Sequence, residues 1–330
     1  MKTTVPFTAD ILKIPDVPAY VDALCGDIRT AIRDQLRRRG GVVGISGGID
    51  SSVTLALAVR ALGHEQVIAL MLPEKDSSPD SLELGKLLAK KYQVKHHIEN
   101  ITGALEGFQC YPRRDEAVKQ VFPEYDPDQH TFKIGLNEAS IETNLPSVFY
   151  ITLIDQYGKA KRKKLPAQEF LQIVAASNFK QRTRMCMLYY YAEKHHYAVI
   201  GTSNRQEINQ GFFVKHGDGG VDLMPIGKLY KTQVYQLAEY LDIPGEIIRR
   251  TPTTDTYSAE QTQEEFFFFF PFRDLDLLWH AYENNTSPEI VAEVVNKSSE
   301  SVRNIFNSFR RKQNTTAYLR KHPILWNEIR

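Results

Sequence analysis

The sequence predicts an α/β fold, a doubly wound parallel sheet with a helical C-terminal segment and a small β insertion. Two patterns predict it. Short apolar runs alternate with helical periods as strand, helix, strand, helix, strand between Val42 and Ile98, and strands separated by helices pair in parallel with right-handed crossovers. A further apolar run, Tyr197 to Ile200, follows a long helical stretch and opens into a glycine-rich polar loop, the position at which open α/β sheets bind ligands.

The first helix, from about Val17 to Arg39, carries Val21, Leu24, Ile28, Ile32 and Leu36 at helical spacing. It stops at three arginines followed by Gly40 and Gly41, cations and glycine being helix-end signals. Val42, Val43 and Ile45 then read as a buried strand, and Val53, Leu55, Leu57 and Val59 as the packed side of the next helix. Between them lies Ser46-Gly47-Gly48-Ile49-Asp50-Ser51-Ser52. The two glycines let the backbone bend sharply and bring N–H groups close to a ligand. N–H groups at a helix N-terminus, reinforced by the dipole and here by serine hydroxyls, form an anion site. Phosphate is the expected guest. Asp50, in the first helical turn, would repel bare phosphate, so a cation between the two is expected and Asp50 reads as a Mg²⁺ ligand to a polyphosphate. The string has neither the Lys-Ser/Thr ending of a Walker loop nor the G-x-G-x-x-G of a dinucleotide fold.

Val67 to Leu72 reads as the second strand, Ser77-Ser78-Pro79-Asp80 caps a helix from Leu82 to Tyr92, and a third strand falls near Val94 to Ile98. Between Cys110 and Lys164 prolines and charges alternate and the periodicity is lost. Ser147 to Leu153 and a polar strand beyond Tyr157-Gly158 read as a hairpin. Residues 110–165 are therefore expected to be an insertion, a lid or an oligomer arm. Helical period returns from Pro166 to His195. The loop after Ile200 runs from Gly201 through Glu207 to Asp222 and is expected to face the Gly47-Gly48 turn across one crevice. Lys231 opens the next helix, which continues through Val234, Leu237 and Leu241. A lysine there opposes the helix dipole unless an anion compensates; a phosphate oxygen is the expected partner.

Phe266 to Phe270 are too few to span a bilayer and too aromatic to lie exposed, so burial in this core or in a partner subunit is expected. Helical segments follow at Leu275 to Tyr282, Pro288 to Val295 and Ser301 to Arg311. The last two have helix-turn-helix spacing, but the second carries one basic residue before its end, where DNA recognition needs a basic face. The expected organisation is a nucleotide-binding domain over 1–262 and a helical extension over 263–330.

The bulk numbers set bounds. With 330 residues, 42% hydrophobic, 25% charged and a formal net charge of +1, the chain has a normal soluble composition and no global field that would draw nucleic acid or an anionic membrane. The N-terminal stretch has Pro6 and Asp10 where a signal peptide needs an apolar run, and no segment reaches transmembrane length. A cytoplasmic location is expected. Cys25, Cys110 and Cys186 form no C-x-x-C pair, which argues against a disulfide framework, a cysteine zinc site or sulfur transfer through paired cysteines.

The string SGGIDSS resembles the pyrophosphate loop of the N-type ATP pyrophosphatases. With LPEKDSSP, NFKQRTRM, GTSNRQE, KHGDGGVD, PIGKLYKTQV and PTTD it gives seven motifs in the order and approximate spacing of the ammonia-dependent NAD synthetases, which the chain resembles from about Asp16 to Asp255. The resemblance implies an adenine nucleotide alpha hydrolase-like fold and a homodimer. It implies ATP-dependent amidation of deamido-NAD to NAD through an adenylated intermediate, with ammonia as nitrogen donor and release of PPi and AMP. By matching motifs, Gly44, Ile45, Ser46, Gly47, Gly48, Ile49, Asp50 and Ser51 would hold ATP phosphates, and Asp50 with Glu207 would hold Mg²⁺. Thr202, Lys231 and Thr253 would also contact ATP, while Arg182, Lys215 and Asp222 would contact deamido-NAD. Asp50, Lys231 and Asp218 would take part in catalysis.

The chain departs from the family pattern at Glu260-Gln261-Thr262-Gln263-Glu264, which lacks an acid, near the C-terminus, where a His-Lys pair has no match, and in a longer insertion. No glutaminase region accompanies the motifs, so free ammonia or a separate glutaminase is the expected nitrogen source. Two alternatives stay open. An amidating adenylating ligase for another carboxylate or nucleotide would use Asp50, Glu207 and Lys231 equally well; KHGDGGVD with Arg182 speaks for deamido-NAD. A nucleotide-sensing DNA-binding regulator need not retain both Asp50 and Glu207.

Overall fold

The computed structural model describes residues 6–136, 148–253, 257–259 and 261–326. Its centre is a four-stranded, all-parallel sheet of β1 (Gly41–Gly44), β2 (Val67–Met71), β3 (Lys95–Ile98) and β7 (Ala198–Ile200), in the order β3-β2-β1-β7. The chain winds outward from β1 through α2 (Ile49–Leu62), β2 and α3 (Pro79–Lys91) to β3, then returns to place β7 on the other side of β1. Strand order therefore reverses at β1 and β7, and both carry their loops at the same edge, the topological switch point where such sheets bind ligands.

Side chains alternate between two cores, as the strand period of two requires. Val43, Ala69, Met71 and Ile200 pack with α1 (Val17–Thr30), α2 and the inner face of α8 (Lys231–Tyr240). Val42, Ile68, Leu70 and Val199 pack on the opposite face against α5 (Cys110–Val121) and the 29-residue α6 (Ala167–His195). The expected strands and helices of this half are all present, with α1 continued by a π turn at Ala31–Gln35. Cys25, Cys110 and Cys186 are free thiols.

The stretch that showed no periodicity is more ordered than the sequence predicts. After α4 (Thr102–Gly107) it begins with α5, and a strand β4 (His130–Leu136) precedes the hairpin of β5 (Phe149–Asp155) and β6 (Ala160–Lys164) to make a three-stranded antiparallel sheet. Ser147, expected to start the hairpin, lies outside the described residues. Two features hid α5. Pro112 falls in its first turn, where a missing N–H costs nothing, and Arg114 reads as surface yet is buried between Asp76 and Asp115 at 2.5 and 2.8 Å. Phe122, Phe132, Ile134, Ile151 and Leu153 form this unit's core.

Beyond the short α9 (Gly245–Arg249), the C-terminal helices α10 (Phe272–Glu283), α11 (Pro288–Val295) and α12 (Ser299–Thr316) bury Trp279, Val291, Ile305 and Phe309 together with Phe268 and Phe270. The phenylalanine run thus contributes to this chain's own core. Trp279 and Phe309 lie 4.7 Å apart between ring centroids, so the inner face of α12 is committed to packing. Among the described residues, no helix is long and apolar enough to cross a membrane.

Gly47 has φ +75°, and a Cβ there would lie 2.7 Å from the Ser81 carbonyl oxygen. Gly63 has φ +91° but open space around it. Gly47→Ala should cost about 1–3 kcal/mol of strain plus displacement of the Ser81 backbone, and Gly63→Ala the strain alone; urea unfolding of the two variants checks the order.

Candidate active site

At the switch point the chain leaves β1 through Ile45, whose N–H donates to the Leu70 carbonyl at 2.7 Å, turns at Gly47, and enters α2 with Gly48 as N-cap. The serines organise the turn. Gly48 N–H donates to Ser46 Oγ at 3.3 Å, while the Ser51 and Ser52 hydroxyls both donate to the Gly48 carbonyl at 2.9 Å. Ser52 is fully buried, so its hydroxyl shapes the turn and is not offered to an anion as expected.

Asp50, one residue into α2, accepts a hydrogen bond from Asn204 Nδ2 at 3.2 Å and pairs with the Lys231 ammonium. Lys231 is the first residue of α8 and completely buried. In this structure the anion that compensates it against the dipole is Asp50, where a phosphate oxygen is the expected partner. Burial disfavours the Lys231 charge, but Asp50 and Glu207 outweigh it and hold the ammonium above its ordinary pKa.

Glu207 lies on α7 (Arg205–Gln210), whose N-terminus is closed by a capping box: Asn204 Oδ1 accepts from the N–H groups of Gln206 and Glu207, and Glu207 Oε2 accepts from Asn204 N–H at 3.0 Å. This N-cap was missed as a site residue, although Asn followed three residues later by Glu is a readable capping signature. Asn204 links the two acids, Asp50 through its side-chain amide and Glu207 through its backbone N–H. Burial, then the Asp50 charge, pushes the Glu207 carboxyl up to about 8. One ammonium is not enough to ionise two neighbouring carboxyl groups, so Glu207 keeps its proton beside the Asp50–Lys231 pair until a further cation displaces it.

Oxygen donors of this kind suit a hard divalent cation, and Mg²⁺ is held by one or two carboxylates completed by water and substrate phosphates. Asp50 and Glu207 fit that donor set. Among the described residues no group of three or more His, Cys, Asp or Glu could hold a metal by itself.

These groups line a cleft of about 1320 Å³, together with Gly44, Ile45, Ser46, Gly48, Ile49, Ser51, Thr202 and Thr253. Arg182, Lys215 and Asp218 line the same cleft. Arg182 Nε donates to the Lys215 carbonyl at 3.3 Å, and Lys215 Nζ donates to the Tyr318 and Lys321 carbonyls at 3.1 and 3.0 Å. Asp218 accepts from Val214 N–H at 2.8 Å, and burial pushes its carboxyl up to about 6. Asp222 stands apart: its carboxylate accepts from Val199 N–H at 2.8 Å and from the Tyr189 hydroxyl at 3.0 Å, and it borders a separate hollow with Arg38 and His196. Asp255 and Glu260 lie outside the described residues.

Several lining residues are not singled out by the sequence reading, although Lys180 falls within the NFKQRTRM motif. Lys180, buried in α6, pairs with Glu74 and Asp76 at 2.9 and 2.7 Å and so holds the loop after β2. Arg250 reaches Ser81 Oγ at 3.1 Å, and Arg311 and Lys312 enter from α12. Each depends on a contact more than a hundred residues away or on packing of the tail.

The sequence model of the NAD synthase family matches residues 20–122 and 137–323, running past Asp255 into the C-terminal helices. The chain is 44% identical over 318 residues to a protein from Rhizobium rhizogenes named NH(3)-dependent NAD(+) synthetase, covering 96% of this chain and 95% of that one. Its fold is similar to that of an NMN synthetase from Francisella tularensis, with TM-score 0.62 and 23% identity over 94% of this chain and 99% of that one. It is likewise similar in fold to an NH3-dependent NAD synthetase from Campylobacter jejuni, with TM-score 0.62 and 22% identity over 94% and 99% of the two chains.

Because the Asp218 pKa in the folded chain, about 6, lies above its ordinary value of 3.8, the folded state keeps a proton between those values that the unfolded state has lost. Stability from this group therefore falls as pH rises from about 4 to about 6 and is level above that. Asp218→Asn should flatten that limb; urea midpoints across pH 4 to 7 check it.

Proposed function

The chain belongs to the NAD synthase family, and from that premise we infer that it amidates deamido-NAD to NAD with ATP and ammonia. The observation that carries the assignment of roles is the Asp50, Lys231 and Glu207 cluster, placed where the SGGIDSS turn and the loop after β7 meet over one cleft. The nicotinate carboxylate attacks the α-phosphorus of ATP, the bond to pyrophosphate breaks, and an acyl adenylate forms. Ammonia then attacks the acyl carbon, loses a proton, and the bond to AMP breaks.

Negative charge has to be offset in the first step, because a carboxylate approaches a polyphosphate. That offset is assigned to the turn's N–H groups and Lys231. Asp50 and Glu207 would hold Mg²⁺, which when bound supplies further charge neutralisation to the phosphates. Lys231 is kept charged by the two acids, so it is ready to turn from Asp50 to a phosphate oxygen. Thr202 and Thr253 are assigned to ATP, and Arg182, Lys215 and Asp218 to deamido-NAD; Asp222, outside the cleft, is given no contact within it. With no nucleophilic side chain needed, catalysis is positioning and charge stabilisation. A homodimer, a cytoplasmic location, and nitrogen delivered as free ammonia or by a separate glutaminase belong to the same reading.

Purified protein with ATP, Mg²⁺, deamido-NAD and ammonium chloride should yield PPi and NAD, and glutamine in place of ammonium should not. Absence of both products would sink the assignment. Asp50→Ala should abolish PPi release while leaving circular dichroism unchanged; a variant that still releases PPi removes the metal role. Lys231→Met should lower kcat by about 10²–10³-fold, the scale of losing one preorganised charge donor.

A further inference from the structure

The C-terminal helices reach the active-site helices through a file of buried polar side chains. Lys312 Nζ on α12 donates to Gln210 Oε1 at 3.2 Å, and Gln210 Nε2 donates to Gln206 Oε1 at 3.0 Å. Gln206 Nε2 donates to Asp276 Oδ1 at 2.9 Å, and Asp276 Oδ2 accepts from the Thr232 N–H at 2.8 Å and the Thr232 hydroxyl at 2.9 Å. Gln206, Gln210 and Asp276 are completely buried. A carboxylate only accepts, so the Asp276 end sets the orientation of both amides, and within the file each glutamine gives one hydrogen bond and receives another.

The file touches both helices that present charged groups to the cleft. Thr232 follows Lys231 in the first turn of α8, so Asp276 caps that helix from α10. Lys231 places positive charge at the positive end of a helix dipole, and the Asp276 carboxylate supplies the negative charge that end favours. Gln206 and Gln210 lie on α7, one and three positions from Glu207. Although burial pushes the Asp276 carboxyl up to about 6, it remains an anion at neutral pH.

We propose that Asp276 is a positioning residue for the amidation reaction, locking the first turn of α8 directly and α7 through Gln206, so that Lys231 and Glu207 keep their places around Asp50. The proposal rests on the roles given above to Lys231 and Glu207. A buried carboxylate with three donors is difficult to replace: Asn offers one acceptor where two are used, and its amide confronts the Gln206 amide donor.

The test measures labelling of Lys231 by an amine-reactive reagent, mapped by mass spectrometry against exposed Lys86, together with kcat and KM, in Asp276→Asn. Lys231 labelling should rise about tenfold or more relative to Lys86, the consequence of one buried donor left unpaired. In the same variant kcat should fall about tenfold or more with KM for deamido-NAD within about threefold, since misplaced groups lose rate before binding. A folded Asp276→Asn protein with wild-type Lys231 protection overturns the proposal, as does raised labelling with wild-type kcat. If Asp276→Asn does not fold, Thr232→Val and Thr232→Ser decide: Val removes the hydroxyl donor and Ser keeps it, so Lys231 must label faster in Val than in Ser, and equal rates overturn the proposal. Wild-type protein that forms no NAD would sink the synthetase assignment alone, because the labelling comparison still reads the position of Lys231.

Discussion

A fully buried ammonium must have a counter-ion, and the pairing of Lys231 with Asp50 is the constraint on which the rest of the site depends. Removing one partner of such a pair leaves an uncompensated buried charge, at a cost of about 3–5 kcal/mol. The pair joins the first turn of α2 to the first turn of α8, two helix starts that come from opposite ends of the domain in sequence. Glu207 adds a second carboxyl to one ammonium, and the proton it holds there is what a cation arriving with a polyphosphate would displace.

The sheet brings these helix starts together because strand order reverses at β1 and β7. Helices leaving adjacent strands on opposite windings diverge, and a crevice opens between them. One wall is a tight turn that only glycine can make at Gly47, since a side chain there would meet the Ser81 backbone. The other wall is a loop held by a capping box at Asn204. Asn204 spans the crevice to Asp50, so the two walls are registered by a hydrogen bond as well as by the sheet.

The helical C-terminal segment is attached through polar as well as apolar contacts. Trp279, Phe268 and Phe309 supply a core of their own, while Asp276, Gln206 and Gln210 carry hydrogen bonds to the helices that bear Lys231 and Glu207. Lys215 ties the glycine-rich loop to the last turn at Tyr318 and Lys321. The wall of the cleft remote from the sheet is therefore built by residues far along the chain from the motifs.

Much of this was legible in the amino-acid order. Apolar runs with periods of two and 3.6, a pair of glycines between strand and helix, and a dipole-opposed lysine are local properties, and they determined the parallel sheet, the turn at Gly47 and the prominence of Asp50 and Lys231, while Glu207 stood out through the resemblance of its motif. Tertiary structure alone decided the rest. It chose Asp50 as the partner of Lys231, turned the Ser52 hydroxyl inward, set Asp222 outside the cleft, and made a helix of Cys110–Val121 by burying Arg114 between two acids. Each of these outcomes depends on which distant groups share a low-dielectric space, and electrostatic pairing there is a property of distance in the fold, which residue spacing along a chain does not encode.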